Sequence, residues 1–530
     1  PLSAVGRHLM PNDLRGKALE AIDRHVRWIP SWGKQRIRNM IALRPDWCIS
    51  RQRAWGVPII ALICEDCGEA FFDAAWVRSV VERFAEHPRG ADYWFETPVA
   101  ELMPEGLSCK SCNGNRFRKE RDILDVWFDS GTSYAAVLEQ RSECTYPADM
   151  YLEGSDQHRG WFHSSLLASV GTRDQAPYRS VLTHGFVVDG EGKKMSKSLG
   201  NVIAPQEIME QYGAEILRMW TASENYQEDL RISKNILRQL VDNYRRIRNT
   251  CRFILGNLND FHPREHQLAF EEMRPVDRYI VQLLADKHNW IMKAYGGYEL
   301  HKVFHSLHNA CVNELSAFYL DIIKDRLYVL PENSLERRSA QSALYHILYL
   351  LIQDMAPILS FTAEEVYQHL PAPLRGEPDT VFGLSRPEYG QVMSAEERAL
   401  WDRLLQIRSE VTRAIEPQRK QGIVGHSLDC RVTLYAEGEL FKELSRVLPF
   451  LRELFIVSDV ALDSLDSVPE NGFRSQEVTG LAIGISFAAG DKCARCWNYS
   501  ERLGQNPDHP EACPRCTDIL EGLNQQTASH

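Results

Sequence analysis

A basic loop between a predicted strand and a predicted helix places the tightest constraint on this chain. The segment 192–201 reads GKKMSKSLGN. A strand-like run at 181–188 and a turn signal at 189–192 precede it, and a helix is predicted from Pro205 to Trp220. Compact lysine ammonium groups suit phosphate oxygens. The loop therefore predicts a phosphate contact, and a solvated basic turn is the alternative.

Strands and helices alternate around this loop. Short strands are predicted at 123–128 and 150–152, and a helix at 160–170. Such alternation predicts a parallel sheet that binds ligands at the carboxyl ends of its strands. One such end carries two carboxylates, an amide and a histidine: Glu153, Gly154, Asp156, Gln157 and His158. For His158 alone, a structural loop histidine is the favoured interpretation.

Length and charge limit the possible classes of protein. At 530 residues the chain is too long for one hydrophobic core, and three or four domains are expected. The apolar run 347–352 is far too short to span a bilayer, so no membrane partner is expected. The net charge of -11 argues against non-specific nucleic-acid binding by the whole surface. Any nucleic acid would have to be held by local basic patches.

Eight of the 13 cysteines form four Cys-x-x-Cys pairs. This pattern and the odd count favour metal ligation in a reducing cytosol, so we predict a cytoplasmic protein. The pairs form two predicted tetrahedral zinc sites, Cys64, Cys67, Cys109 and Cys112, then Cys493, Cys496, Cys513 and Cys516. Four unpaired thiols are the alternative for the first set. The second set carries Arg495, Trp497 and Arg515, residue types that suit stacking on nucleotides.

The second half of the chain becomes helical. Aliphatic residues recur at helical spacing between about 221 and 390, which predicts a helical bundle. Arg245, Arg248 and Arg252 share one face of a predicted helix, either as a nucleic-acid contact or as a solvated face. Residues 395–490 are predicted to form an amphipathic helix at 404–415 and strands at 431–435 and 483–487.

Four motifs carry a family resemblance. Residues 194–198 are, letter for letter, the KMSKS signature of class I aminoacyl-tRNA synthetases. The others are DWCISRQRAWGVP at 46–58, DVWFDSG at 125–131 and YLEGSDQHRGWF at 151–162. Together they resemble the bacterial isoleucyl-tRNA synthetase family, from about residue 20 to about residue 520. Valyl and leucyl enzymes share KMSKS, so a valyl-type enzyme is an alternative.

The resemblance implies ATP-dependent activation of isoleucine, with Mg²⁺ bound to ATP, and transfer to tRNA(Ile) by a monomer. In the KMSKS loop (Lys194, Met195, Ser196, Lys197, Ser198), Lys197 is expected to bind the β/γ-phosphates with help from Lys194, and the serines to order the loop. The matching residues Glu153, Gly154, Asp156 and Gln157 would hold the aminoacyl-adenylate. Trp127 and Asp129 would shape the pocket. Arg51 and Arg53 would lie near the catalytic core, unless they form structural ion pairs.

The implied fold is α/β plus all-α. It comprises the return from an editing insertion at 1–60, a zinc-ribbon-like insertion at 61–122 and the second half of a Rossmann-type catalytic domain at 123–220. A helical anticodon-binding domain at 221–390, an α/β tRNA-contacting region at 391–490 and a zinc finger with tail at 491–530 follow.

The other class I signature, His-x-Gly-His (the HIGH motif), is absent, and the chain begins at Pro1. We therefore expect the C-terminal part of a longer protein, without most of the editing domain and inactive alone. A non-catalytic tRNA-binding fragment or paralogue is the alternative.

Overall fold

The computed structural model describes residues 13–385, 388–390, 392–470 and 472–528. The predicted segments extend over some positions outside the described residues, namely 1–12, 386–387, 391, 471 and 529–530. The chain forms two compact units. The first contains the described residues up to Lys194 and the short segment Tyr226–Arg231, and the second contains Met195–Asn225 and the described residues from Ile232 onward. The six regions predicted from the sequence are smaller than these two units, and their boundaries stay predictions.

A three-stranded parallel sheet is the centre of the first unit. Its strands lie in the order Arg27–Ile29, Ser180–His184, Tyr151–Gly154, so the predicted parallel sheet is confirmed. Gly154 pairs with His184 at the carboxyl ends of their strands. The helix Trp161–Arg173 buries every residue from Phe162 to Val170 and packs against this sheet. This core fixes the strand end that carries the predicted ligand-binding residues.

Two predicted strands of the first unit are shorter than expected. The strand predicted at 123–128 ends at Leu124, because the Asp125 side chain accepts a hydrogen bond from Trp127 N–H and begins the helix Val126–Gly131. The strand predicted at 181–188 divides into Ser180–His184 and Val187–Asp189. The division falls at Gly185, where a side chain would collide with the backbone of Glu228.

The remaining elements of the first unit surround the sheet and build the first cysteine-rich module. The segment 74–86 forms the helix Ala74–Glu86, whose N-terminus is capped by Asp73. The other helices are Leu14–Glu20, Ala21–His25, Trp32–Ala42, Gly90–Asp92, Tyr93–Glu96, Val99–Leu102, Tyr134–Leu138 and Ser155–His158. The other strands are Ser50–Arg51, Leu62–Cys64, Ala70–Phe71, Phe117–Lys119, Ile123–Leu124 and Leu230–Ile232. The last of these strands ends in the second unit.

The second unit is mainly helical, as predicted. The single helix predicted from Pro205 to Trp220 is wrong: Gly213, at φ 85°, separates Pro205–Tyr212 from Ala214–Ser223. The other helices before residue 390 are Lys197–Leu199, Lys234–Asn257, Pro263–His266, Phe270–Glu272, Pro275–Gly296, Leu300–Asn309, Ala310–Tyr319, Leu320–Ile322, Lys324–Val329, Leu335–Met355, Ser360–Gln368, Ala372–Leu374 and Val381–Gly383. No helix among the described residues is both long enough and apolar enough to cross a membrane.

An α/β region and a zinc-finger-like module complete the second unit. Four strands lie in the order Asp459–Ser464, Cys430–Ala436, Ala482–Phe487, Phe473–Arg474. The two predicted strands, 431–435 and 483–487, are both central in this sheet. The remaining elements are the helices Ala395–Lys420, Ser427–Asp429, Gly438–Phe455, Leu465–Ser467 and Pro514–Ala528 and the strands Asp491–Lys492 and Tyr499–Ser500.

A buried ion network links the helical and α/β regions of this unit. The Arg326 guanidinium lies 2.8 Å from the Asp277 carboxylate and 2.7 Å from that of Glu453. Tyr319 Oη donates a further hydrogen bond to Asp277 at 2.7 Å. Because buried charges are costly when one partner is removed, this network holds helix Gly438–Phe455 against the bundle.

Candidate adenylate-binding loop, lysine loop and zinc sites

The carboxyl end of strand Tyr151–Gly154 forms a polar loop. Glu153 and Asp156 are exposed, and Gln157 is half-buried. Gln157 Nε2 donates to Asp156 Oδ2 at 2.9 Å, and Gln157 Oε1 accepts from Trp161 N–H at 2.9 Å. A Cβ on Gly154 would lie 2.8 Å from Asp156 Oδ1, so a larger residue there would have to displace this carboxylate. The structure thus brings the four predicted adenylate-binding residues into one loop with an oriented amide.

His158 differs from the polar residues beside it, because it is packed among aromatic rings. It is fully buried, and its ring lies 5.4–6.3 Å, centroid to centroid, from those of Trp28, Trp32 and Phe162. Its Nδ1 lies 3.1 Å from Ser155 O. Burial lowers the pKa of His158, which keeps the ring neutral. These contacts support a structural histidine.

The helix Val126–Gly131 stands beside the polar loop and carries Trp127 and Asp129. Burial and the nearby Asp125 carboxylate raise the pKa of Asp129. Arg51 Nη2 lies 2.6 Å from Asp125 Oδ2, so the structure gives this arginine a structural ion pair. Arg53 is exposed. The role of Asp125 as a helix cap and as the partner of Arg51 was not predicted from the sequence, although an aspartate before a helix start is a recognisable N-cap signal.

The KMSKS loop is ordered by its own polar groups. Asp189 Oδ1 accepts from the N–H groups of Glu191 and Lys193 at 3.0 and 2.8 Å. Ser196 N–H donates to Asn201 Oδ1 at 2.9 Å, and Ser196 Oγ accepts from Leu199 N–H at 3.3 Å. Ser196 thus helps to order the loop, and the roles assigned to the two serines stay predictions.

The lysines of this loop differ in their partners. Lys193 Nζ is paired with Glu191 at 2.7 Å. Lys194 and Lys197 are exposed, and among the described residues Lys197 makes no ion pair. Met195 is half-buried. The Lys197 ammonium group is therefore available to an incoming anion, as the phosphate role requires.

The first four cysteines form a candidate metal site. The sulfur atoms of Cys64, Cys67, Cys109 and Cys112 all lie within 4.8 Å of one another, with Sγ–Sγ distances of 3.6 Å for Cys64–Cys112 and 3.5 Å for Cys67–Cys109. Tetrahedral zinc with Zn–S bonds of about 2.3 Å requires sulfurs about 3.8 Å apart. The cluster fits zinc, which argues against four unrelated thiols.

The second four cysteines, Cys493, Cys496, Cys513 and Cys516, are all buried and meet the same distance limit. Cys496 Sγ and Cys513 Sγ lie 3.7 Å apart, and Cys513 N–H donates to Cys493 Sγ at 3.3 Å. An N–H donor toward sulfur stabilises a thiolate, the form that binds metal. This cluster also fits zinc.

The two arginines of the second cysteine cluster contact the helical region. Arg515 binds both carboxylate oxygens of Asp325, at 2.6 and 2.9 Å, and Arg495 Nη2 donates to Val329 O at 2.8 Å. Trp497 is 60% exposed, with Lys492 Nζ 5.4 Å from its ring centroid. Trp497 is thus the member of this predicted set that faces solvent, and tRNA contact by all three stays a prediction.

The predicted arginine face lies on helix Lys234–Asn257. Arg245, Arg248 and Arg252 are all exposed. Arg245 pairs with Asp242 at 3.3 Å and Arg248 with Glu365 at 3.2 Å. Exposed pairs of this kind are weak and exchange readily for a phosphate. Both the nucleic-acid role and the solvated-face alternative are compatible with these contacts.

Comparison with known proteins identifies the class. Residues 8–233 match the family "tRNA synthetases class I (I, L, M and V)", residues 277–434 match "Anticodon-binding domain of tRNA ligase", and residues 490–519 match "Zinc finger found in FPG and IleRS". Together with the parallel sheet and the KMSKS loop, these matches show that the chain belongs to the class I aminoacyl-tRNA synthetases.

Within that class, the chain is similar to isoleucine–tRNA ligases. It is 60% identical over 512 residues to the enzyme of Nitratidesulfovibrio vulgaris (strain Miyazaki F), covering 96% of this chain and 54% of that protein. Identity is 53% to the Lawsonia intracellularis enzyme, covering 97% of this chain and 54% of that protein. It is 51% to the Geobacter sulfurreducens enzyme, covering 96% and 54%. These relatives do not favour the valyl-type alternative.

The chain spans about half the length of these curated relatives. Among solved structures, Mycobacterium tuberculosis methionyl-tRNA synthetase in complex with methionyl-adenylate matches with a TM-score of 0.48 and 15% identity, over 68% of this chain and 63% of that one. Agrobacterium radiobacter K84 LeuRS in a ternary complex matches with a TM-score of 0.44 and 20% identity, over 62% and 41%. Likenesses this weak add nothing to the family assignment.

Proposed function

We propose that the full-length protein containing this chain ligates isoleucine to tRNA(Ile) in the cytoplasm as a monomer. The observation that carries the proposal is the identity of 60% to an isoleucine–tRNA ligase over 96% of the chain. The site is consistent with it, because a carboxylate-bearing loop at the end of a parallel strand suits an ammonium group and ribose hydroxyls.

The residues of this chain act by positioning and by neutralising charge. The isoleucine carboxylate attacks the α-phosphate of ATP, which leaves isoleucyl-adenylate and pyrophosphate. The terminal hydroxyl of the tRNA then takes the acyl group and releases AMP. Lys197, assisted by Lys194, neutralises charge on the departing phosphates. Glu153, Asp156 and Gln157 hold the adenylate, and Gly154 leaves room for it. Mg²⁺ enters with ATP.

Binding of tRNA is assigned to local basic and aromatic groups. The helix Lys234–Asn257, which carries the arginine face, precedes the anticodon-binding family match that begins at residue 277, and it packs against helix Leu335–Met355 within that match. Arg245, Arg248 and Arg252 would contact phosphates there, and such contacts weaken as salt rises. Trp497 would stack on a base.

Isoleucine-dependent exchange of pyrophosphate into ATP tests the proposal. The full-length protein is expected to catalyse this exchange and to charge tRNA(Ile), with valine and leucine as matched controls. The 530-residue chain alone is expected to catalyse neither reaction. Exchange that depends on valine or leucine and not on isoleucine, or no exchange by the full-length protein, would refute the proposed activity.

Trp497 offers a test of tRNA contact that separates binding from folding. Its φ of 64° lies in the left-handed region, at the fourth position after Cys493. Gly68 and Asn113 adopt the same conformation at the fourth positions after Cys64 and Cys109. Asparagine tolerates this conformation better than tryptophan, which costs about 1–2 kcal/mol there. A strained, exposed tryptophan therefore points to a role outside folding.

Trp497→Asn is expected to weaken tRNA(Ile) binding by about 5- to 100-fold, the range for losing one base–aromatic stack. The free energy of unfolding should not fall, because asparagine relieves the backbone strain. Filter binding and urea unfolding measure the two quantities. Phe72→Ala, at a phenylalanine that is 67% exposed in the segment 61–122, is the control and should leave tRNA affinity unchanged. Unaltered tRNA affinity in Trp497→Asn would rule out the contact.

A further inference from the structure

Three hydrogen-bond donors meet at the buried carboxylate of Asp125. Arg51 Nη2 and Trp47 Nε1 donate to Oδ2 at 2.6 and 2.9 Å, and Trp127 N–H donates to Oδ1 at 3.2 Å. The residue is 4% exposed. Its carboxylate therefore ties the segment 47–51 to the first turn of helix Val126–Gly131.

That helix is fastened to the start of helix Trp161–Arg173. Trp161 Nε1 donates to Ser130 O at 3.0 Å and to Ser133 Oγ at 3.1 Å. Gly131 lies so close to the backbone of Ser164 that an added Cβ would stand 2.9 Å from its carbonyl carbon. The backbones of the two helices are therefore in close contact at Gly131.

The same helix borders the adenylate-binding loop through Trp127. A Cβ on Gly160 would lie 2.8 Å from the Trp127 ring and would also collide with Gln157 Oε1. The ring and the Gln157 amide therefore both crowd Gly160. Trp127 and Gln157 are therefore neighbours at Gly160, and Gln157 Oε1 also accepts a hydrogen bond from Trp161 N–H.

Besides capping the helix, the Asp125 carboxylate is the counter-ion of Arg51. Among the described residues, the one ion pair of Arg51 is with Asp125. Arg51 Nη1 also donates to Cys48 O at 2.6 Å and to Ser50 O at 2.7 Å, so its guanidinium makes three hydrogen bonds in all. Hydrogen bonds between charged groups are stronger than neutral ones. Loss of the carboxylate would leave this fixed cation without its counter-ion.

We infer that Asp125 is a positioning residue for isoleucine activation, acting through Trp127 and helix Val126–Gly131 to hold Gln157 and the adenylate-binding loop in place. The inference rests on the proposed function. It assigns Asp125 no contact with substrate. Loss of Asp125 should weaken binding of the adenylate but not binding of the ATP phosphates, which are assigned to the KMSKS loop.

Asp125→Ala in the full-length protein tests this role. A non-hydrolysable isoleucyl-adenylate analogue is expected to bind at least about tenfold more weakly by calorimetry, and kcat for isoleucine-dependent exchange to fall about 100-fold, since small misplacements at a site have effects of this size. The KM for ATP should stay within about twofold. Asp122→Ala is the control, because Asp122 accepts a hydrogen bond from Gln52 Nε2 at 2.6 Å in the same segment. This variant should bind the analogue like the wild type.

Two milder variants keep the inference testable if Asp125→Ala does not fold. Asp125→Asn retains an oxygen for the Trp127 N–H but loses the charge, and Arg51→Lys retains the charge but loses the fork geometry. Weaker analogue binding with unchanged thermal midpoints supports positioning. Wild-type affinity for the analogue in every folded variant would overturn it. A wild-type protein that neither binds the analogue nor catalyses exchange would instead refute the proposed function.

Discussion

Lys197→Ala in the full-length protein is expected to lower kcat for isoleucine-dependent pyrophosphate exchange by about 100- to 1000-fold, the usual effect of removing one preorganised group that stabilises transition-state charge. The affinity for isoleucine should change far less, because the ammonium group is assigned to the phosphates. Lys197 is exposed and makes no ion pair among the described residues, so its loss should not destabilise the fold. Exchange kinetics with isoleucine binding measured by calorimetry separate the two effects.

Lys193→Ala is the matched control for that experiment. Lys193 lies in the same loop, but its ammonium group is paired with Glu191 at 2.7 Å. Its removal is expected to change kcat by less than about threefold, in keeping with the small energy of an exposed ion pair. If Lys197→Ala weakened isoleucine binding as much as it slowed exchange, Lys197 would be a binding residue and not a stabiliser of the transition state.

Loss of zinc from the second cysteine cluster is expected to unfold residues 490–522. Structural zinc contributes apparent binding free energies of about 10–16 kcal/mol in zinc-finger peptides. The module offers little else, since its core is the four cysteines with a few aliphatic side chains and Val329. Cys516→Ser should reduce bound zinc from two equivalents to one per chain, as the two cysteine clusters imply. Metal analysis and amide hydrogen exchange measure these outcomes.

The effect should extend beyond the module itself. Asp325 and Val329, on helix Lys324–Val329, bind Arg515 and Arg495, so amide protection in this helix should fall as well. Cys144→Ser is the control, because Cys144 belongs to neither cluster, and it should keep two equivalents of zinc and full protection. Equal zinc content in Cys516→Ser and Cys144→Ser would show that the second cluster holds no metal.

Local signals predicted much of the fold. Alternating strands and helices predicted the parallel sheet, and helical periodicity predicted the bundle, since both patterns follow from which residues must be buried. The errors fall where one residue interrupts a longer pattern. Gly213 divides a predicted helix by its left-handed φ, and Asp125 ends a predicted strand by capping a helix. Gly185 interrupts another strand because a distant backbone approaches it, which no local pattern reveals.

By itself, the sequence determined the family, the cysteine ligand sets and the residue types of the KMSKS and strand-end loops, because each depends on residue identity at short spacing. The tertiary structure alone decided which side chains have partners. Arg515 is held by Asp325, 190 positions earlier, whereas Trp497 faces solvent. Arg51 and Asp125 meet across 74 positions beside the loop proposed to bind the adenylate. Such contacts arise from packing between distant segments, so spacing along the chain could not predict them.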